Sequence, residues 1–191
     1  MSREIKLVIS DFDGTLVDTK EANFLSYRDV LLGAGYKLTA EEYHQCFGLR
    51  FEEFMHRLGI LDEAVMKKIR VNKAKTYPSY FNKIRVNQNL AQFIESFRQT
   101  GGKTALASTA ARHNILNVLA FVRLNDLFDA IISGDEIARP KPDPACYIEA
   151  MRRFAVRPHQ CLIFEDAPIG IEAASASGAS YIIVKGPFHG N

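Results

Sequence analysis

The sequence predicts an α/β fold: a doubly wound parallel sheet with an inserted all-helical subdomain. Three observations predict it. Short, nearly continuous apolar runs recur along the chain, helix-period stretches lie between them, and one long helical interval follows the first run. Runs without polar alternation suit strands buried on both faces of a parallel sheet. Their alternation with helices suits a sheet covered on both sides.

Taken in order, the runs are IKLVIS (5–10), KTALAS (103–108), DAIIS (129–133), QCLIFE (160–165) and SYIIV (180–184). After the first, Phe24, Leu25, Leu31 and Leu32 mark an amphipathic helix closed by Gly33 and Gly35. Thr39 followed by Glu42 is a capping box for a second helix. Phe51, Phe54, Met55 and Leu58 mark a third, ended by Gly59, and Val65, Met66, Ile69 and Lys73 a fourth that stops near Pro78. No convincing strand interrupts residues 16–86, so this interval is expected to be a helical cap, with 1–15 and 87–191 forming the α/β core. Leu90, Phe93, Ile94 and Phe97 predict a helix over 88–99 with Gly101 and Gly102 as its stop. Ile115, Val118, Leu119 and Val122 share one helix face in the next connection. Tyr147, Ile148, Met151 and Phe154 do so in the one after, where Pro144 suits a first turn. Ala173, Ala174 and Ser177 follow, with Gly178 as a C-terminal cap.

Composition narrows the function classes. The 24 Lys and Arg against 22 Asp and Glu leave a formal charge of +2, and 47% of residues are apolar. That argues against disorder and against a dedicated nucleic-acid binder, which carries a basic face. No apolar stretch reaches the roughly 18 residues of a membrane helix, and the N-terminus lacks the apolar region of a signal peptide. The three cysteines, Cys46, Cys146 and Cys161, have no CxxC spacing, so a reducing, cytoplasmic setting is expected.

The chemistry gathers at strand ends. Asp11 and Asp13, at i and i+2 after the first run, point to one side of an extended chain, where an apolar strand meets a glycine-containing turn. In open α/β sheets, ligands bind outside the carboxyl ends of strands. Neighbouring carboxylates call for a cation or a shared proton. Glu165 and Asp166 form a second acidic pair at the end of the fourth run, and two such ends can converge on a hard cation with oxygen ligands, which suits Mg²⁺. Ser108 and Thr109 end the second run just before a helix, an anion-binding arrangement. Lys141 stands between Pro140 and Pro142 after the third, which restricts its backbone and aims its ammonium.

DFDGTLVD at 11–18, ALAST at 105–109, KPDP at 141–144 and FEDAPIGIEAA at 164–174 resemble the four ordered motifs of the haloacid dehalogenase superfamily. More narrowly, the chain resembles the subfamily of sugar-phosphate phosphatases and β-phosphoglucomutase-like enzymes, which carry a helical cap between motifs one and two. The resemblance implies a Rossmann-like core and Mg²⁺-dependent hydrolysis of a phosphate monoester on a small metabolite, a sugar phosphate or nucleotide monophosphate. It implies Asp11 as the nucleophile that forms an aspartyl-phosphate and Asp13 as the general acid/base. It gives Ser108 and the Thr109 N–H to the phosphoryl group, and Lys141 to charge on the nucleophile and phosphoryl oxygens. Asp11, the main-chain carbonyl of Asp13 and Asp166 match the metal ligands, with Glu165 either binding the metal itself or holding a group that does. Beside Mg²⁺ and Lys141, Asp11 is expected to stay ionised at neutral pH. The dehalogenases that name the superfamily lack a carboxylate at the position of Asp13, because halide leaves without protonation.

The segment Cys46–Glu53 resembles the cap loop that reads substrate, with Gly48 for a tight turn and Arg50 for a charged or hydroxylated group. Mutases of the subfamily carry a histidine in the first cap helix, where this chain has Asn23, and their cap-loop arginine falls near Phe51. Both departures favour a hydrolase over an intramolecular phosphomutase, while intact motifs disfavour a non-catalytic binding protein. Asp18 is expected to cap the first cap helix, Lys20 to be a solvated surface lysine, and Arg112 and His113 to begin a helix in solvent. Members usually continue beyond a fifth strand, so the 185–191 end is expected to expose a sheet edge or to serve as a contact between copies. A monomer or weak homodimer is expected.

Overall fold

The computed structural model describes residues 4–47, 49–186 and 188. Strand β1 (Leu7–Ser10) is buried along its whole length, as its apolar sequence requires. The DFDGT turn follows, closed by hydrogen bonds from the N–H groups of Leu16 and Val17 to the Phe12 carbonyl. It leads into β2 (Val17–Asp18).

Residues 19–84 form a compact unit of their own. It holds α1 (Lys20–Gly33), α2 (Ala40–Cys46), α3 (Phe51–Arg57), α4 (Glu63–Thr76) and a 3₁₀ segment, Tyr77–Lys83. The Thr39–Glu42 capping box starts α2 with both reciprocal bonds in place, and the Asp62 carboxylate caps α4 by accepting from Ala64 and Val65. Val30, Leu31, Tyr43, Phe54, Met55, Ile60 and Ile69 make its core, around edge-on contacts of Phe54 with Tyr27 and Tyr43. Lys73 is buried with its ammonium 3.5 Å from the Tyr77 ring centroid, a cation–π contact that the sequence pattern read only as a helix face.

The other unit comprises the residues up to 18 and from 85 onward. Strand β3 (Arg85–Val86) pairs antiparallel with β2, Val17 opposite Val86. Two-residue strands carry no period, so this ribbon at the ends of the interval expected to lack strands was invisible to pattern. Asp18 lies in it and accepts from Arg85 Nη2 at 2.5 Å, while Thr19 takes the N-cap position of α1 that Asp18 was expected to fill. Helix α5 (Gln88–Gln99) then buries Leu90, Ala91 and Ile94. Its N-cap, Asn87, accepts from the Leu90 N–H and donates through Nδ2 to the Thr15 carbonyl, which fastens the DFDGT turn to the helix start.

The remaining elements alternate: β4 (Lys103–Ala107), α6 (Arg112–Phe121), β5 (Ala130–Ile132), α7 (Ala145–Arg153), β6 (Cys161–Glu165), α8 (Pro168–Ala176) and β7 (Ser180–Ile183). The strands form one parallel sheet in the order β5-β4-β1-β6-β7. Beneath it, Tyr147, Ala150 and Met151 of α7 and Ala173 and Ala174 of α8 pack with Leu7, Ile9, Ala105 and Ile163. Ile148, expected on the buried face of α7, is 48% exposed, and Cys146 and Ala150 pack there instead. Strand β7, read as buried on both faces, is an exposed edge with a neighbour on one side, so Tyr181, Ile182 and Ile183 remain partly in solvent. Among the described residues, no helix is long and apolar enough to cross a membrane.

Candidate active site

Strand order places the chemistry. The chain runs out of the central strand β1 with β4 on one side and β6 on the other, so the strand order reverses there and a crevice opens at the carboxyl ends. Register sets Ser10 opposite Leu106 and Phe164, which brings Asp11 beside the ends of both neighbours. The Asp11 N–H continues the ladder by donating to the Phe164 carbonyl at 2.9 Å.

Lys141, from the loop after β5, is buried and donates all three of its protons. It reaches Asp11 Oδ1 at 2.6 Å, Glu165 Oε2 at 2.7 Å and the Ala107 carbonyl at 3.2 Å. Glu165, 1% exposed, is equally engaged. Oε2 accepts from Lys141 and from the Tyr147 hydroxyl at 2.5 Å, and Oε1 accepts from the N–H groups of Asp166 at 3.0 Å and Ala167 at 3.1 Å. A β-carbon on Gly170 would lie 2.1 Å from the Glu165 carboxyl carbon, so glycine at that helical position makes the room this carboxylate occupies. Asp166 is half-buried and accepts from the Thr15 hydroxyl through Oδ1 at 2.6 Å.

One oxygen each of Asp11, Glu165 and Asp166 lies within 4.8 Å of the others. Burial pushes the Asp11 carboxyl well above the usual range, the Glu165 carboxylate adds to this and Lys141 opposes it. Burial also raises Asp166; the Thr15 hydroxyl opposes that rise and Glu165 adds to it. Burial works against the Lys141 charge as well, yet Asp11, Tyr147 and Glu165 outweigh it and hold the ammonium well above its ordinary value. Three carboxyl groups around one ammonium leave an excess of negative charge, which a hard divalent cation offsets. Burial thus works against the ionised form of Asp11, while Lys141 and a bound cation would both favour it.

The structure thus brings Asp11, Lys141, Glu165 and Asp166 together. Ser108 follows β4 at the same sheet edge, 4% exposed, with its hydroxyl accepting from the Ala110 N–H at 3.0 Å and its own proton left to donate. Thr109 is next to it, but α6 begins only at Arg112, so both residues belong to a loop and not to the helix start expected for them. Gly134 allows the neighbouring loop to close on that one, since a β-carbon there would be 2.1 Å from the Thr109 carbonyl oxygen. Asp13 is half-buried in the turn, bridged through its backbone to Val17. Arg112 is held by Glu136 and the Ile131 carbonyl.

In the helical unit, Asn23 Nδ2 donates to Thr19 Oγ1 at 3.0 Å, and Arg50 is the N-cap residue of α3. Gly48 lies outside the described residues. Lys20, expected in solvent, is half-buried and bonded to His44 Nδ1 with its ammonium 5.6 Å from the Phe47 ring centroid. Two contributors were missed: Thr15, which holds Asp166, and Tyr147, which holds Glu165. Thr15 lies within the DFDGT motif, so a signal was there to read. Tyr147 was read as one residue of an apolar helix face, and nothing in that pattern marks its hydroxyl.

Comparison with known proteins agrees with this geometry. The family model of haloacid dehalogenase-like hydrolases matches residues 8–184. A phosphorylated carbohydrates phosphatase of Thermotoga maritima is 30% identical over 182 residues, covering 93% of this chain and 84% of that protein. The fructose-1-phosphate phosphatase YqaB of Escherichia coli (strain K12) is 26% identical over 180 residues, covering 93% and 95%. The crystal structure of CbbY from Rhodobacter sphaeroides in complex with phosphate shares the fold, with a TM-score of 0.86 at 24% identity over 95% of this chain and 87% of that one. Sequence, sheet order and the carboxylate–lysine cluster agree: the chain belongs to the haloacid dehalogenase-like hydrolases.

Proposed function

We propose that this protein is a Mg²⁺-dependent phosphatase that hydrolyses a phosphate monoester of a small metabolite through an aspartyl-phosphate on Asp11. The observation that carries the reading is the buried contact of Lys141 with Asp11 at the end of the central strand, with Asp166 alongside. The names of the curated relatives favour a phosphorylated sugar over a nucleotide monophosphate.

An Asp11 oxygen attacks phosphorus, the bond to the ester oxygen breaks, and Asp13 gives its proton to the leaving alcohol. Water then attacks the acyl phosphate and passes a proton back to Asp13, releasing phosphate and restoring the Asp11 carboxylate. Lys141 offsets charge on the nucleophile and the transferring group, and the Ser108 hydroxyl with the Thr109 N–H holds phosphoryl oxygens. Asp11, Asp166 and the Asp13 carbonyl would hold the cation; Glu165, with both oxygens engaged, serves by fixing Lys141. When bound, Mg²⁺ supplies charge neutralisation for the phosphoryl oxygens and the nucleophile. Asn23, Gly48 and Arg50 are assigned to substrate recognition. An amide at position 23, already donating to Thr19, offers no proton shuttle, which favours hydrolysis over phosphomutase chemistry. Buried, unpaired cysteines suit a reducing, cytoplasmic setting.

The test is phosphate release across a panel of sugar phosphates and nucleotide monophosphates, with Mg²⁺ or with chelator, and with Asp11→Asn alongside. Release from a narrow set that chelator and the variant both abolish is the expected result. No release from any ester overturns the reading.

A further inference from the structure

Within the site, Lys141 is shared between two carboxylates at almost equal distance, 2.6 Å to Asp11 Oδ1 and 2.7 Å to Glu165 Oε2. Its position is therefore a balance, and whatever changes the pull of Glu165 moves the ammonium relative to Asp11. Glu165 itself has little freedom. Oε1 is held by two consecutive N–H groups, of Asp166 and Ala167, and Gly170 packs directly behind the carboxyl carbon. What remains adjustable is the charge on Oε2. The Tyr147 hydroxyl donates to this oxygen at 2.5 Å, from a side chain fully buried in the core. Its ring also stands beside the ammonium, with the centroid 5.0 Å from Lys141 Nζ.

We infer that Tyr147 is a positioning residue for the proposed phosphoryl transfer, its hydroxyl donating to Glu165 Oε2 and so leaving Lys141 directed at Asp11. The inference rests on the reading of the site given above. A hydrogen bond donated to a carboxylate oxygen draws off part of its negative charge and weakens its hold on a second donor. Without that hydroxyl, Oε2 has Lys141 as its remaining partner among the bonds described, and the ammonium shifts toward Glu165. In the reaction, the new negative charge appears around the Asp11–phosphorus bond. An ammonium drawn away from Asp11 stabilises that charge less, and the loss appears in kcat.

The test is Tyr147→Phe, which keeps the buried ring and its contact with the ammonium while removing the one donor. Three measurements are made: a crystal structure of the metal-free variant beside the wild type, steady-state kinetics on an ester the wild type hydrolyses, and a thermal melt. The expected result is a Lys141 ammonium displaced from Asp11 toward Glu165, and kcat lowered about tenfold with KM changed less than about threefold. The melt is expected to stay cooperative. A Lys141 that does not move overturns the inference whatever happens to kcat, because the effect would then be one of packing. A displaced Lys141 with unchanged kcat overturns it too. A displaced Lys141 in a protein whose wild type hydrolyses no ester supports the positioning by Tyr147 and removes the phosphatase reading instead, so the two failures are distinguishable.

Discussion

Gly14 and Asp166 lie so close that a β-carbon on the glycine would be 2.2 Å from Asp166 Oδ2. The first and last motifs of the chain thus meet where one of them has no side chain. Gly14 also has φ +97°, a left-handed conformation that side chains rarely adopt.

Gly14→Ala therefore strains the turn and pushes Asp166 off its bond with Thr15. A displacement of about 1 Å at a reacting centre costs about a hundredfold in rate. Phosphate release from Gly14→Ala is expected to fall on that scale, with the Mg²⁺ concentration for half-maximal activity raised. Unchanged Mg²⁺ dependence would mean that Asp166 does not hold the cation.

Asp11→Asn separates stability from activity. Without a cation, burial and then Glu165 push the Asp11 carboxyl well above its ordinary value. A carboxyl raised in the folded state costs stability as pH climbs from its unfolded value near 3.8 toward the folded one. At neutral pH the raised Asp11 carboxyl thus costs stability until a cation arrives. In chelator at pH 7, Asp11→Asn is expected to melt above the wild type, with the gap closing below about pH 4. Mg²⁺ should raise the melting temperature of the wild type and do less for the variant. Phosphate release should fall by about a thousandfold or more, since the nucleophile is gone. A variant less stable than the metal-free wild type would show that the Lys141 contact outweighs the cost of burying Asp11.

The difference between what was legible in the sequence and what was not follows the length scale of each interaction. Asp11 and Asp166 were legible because polar residues interrupt apolar runs at their carboxyl ends, Lys141 because two prolines flank it after the third run, and parallel strands collect such ends at one edge. Glu165 was legible as a site residue, whereas its commitment to four donors was not, because two of them come from the following backbone and one from helix α7. Tyr147 shows the limit most clearly: periodicity placed its ring in the core, and only three-dimensional packing places its hydroxyl at 2.5 Å from a carboxylate. In the fold, capping residues such as Thr39 and Glu42 act within one turn and could be read directly. The β2–β3 ribbon joins residues 17 and 86, and its two-residue strands are too short to have a period.

Glu136 gives a pH signature away from the chemistry. Its carboxylate accepts from Arg112, Arg153, Ser133 Oγ and the Ser133 N–H. Burial works against its charge, yet these donors bring its pKa down to about 2. A carboxyl lowered on folding contributes stability that is full above its unfolded value near 4.5 and is lost as pH falls toward 2. The group is 29% exposed, so screening reduces the contribution to about 1 kcal/mol. Urea midpoints of the wild type and Glu136→Gln should differ by that amount at pH 7, and the difference should narrow between pH 4.5 and pH 2. A difference independent of pH would assign the effect to lost packing.

Two of the cysteines, Cys146 and Cys161, report on the core beneath the site. All three are free and buried. Burial pushes the thiols of Cys146 and Cys161 up to about 11 and about 12, so neither supplies appreciable thiolate near neutrality. Cys146 precedes Tyr147 on α7, and a reagent reaches it only when that helix opens from the sheet. With an aromatic disulfide reagent at pH 7.5, the native protein is expected to react slowly, and all three thiols to react at once in guanidinium. Mg²⁺ should slow the native reaction further, because a ligand that binds only the folded state lowers the population of open forms. Labelling Cys146 within seconds in native protein would mean that α7 is not held against the sheet, and that Tyr147 is not fixed where it meets Glu165.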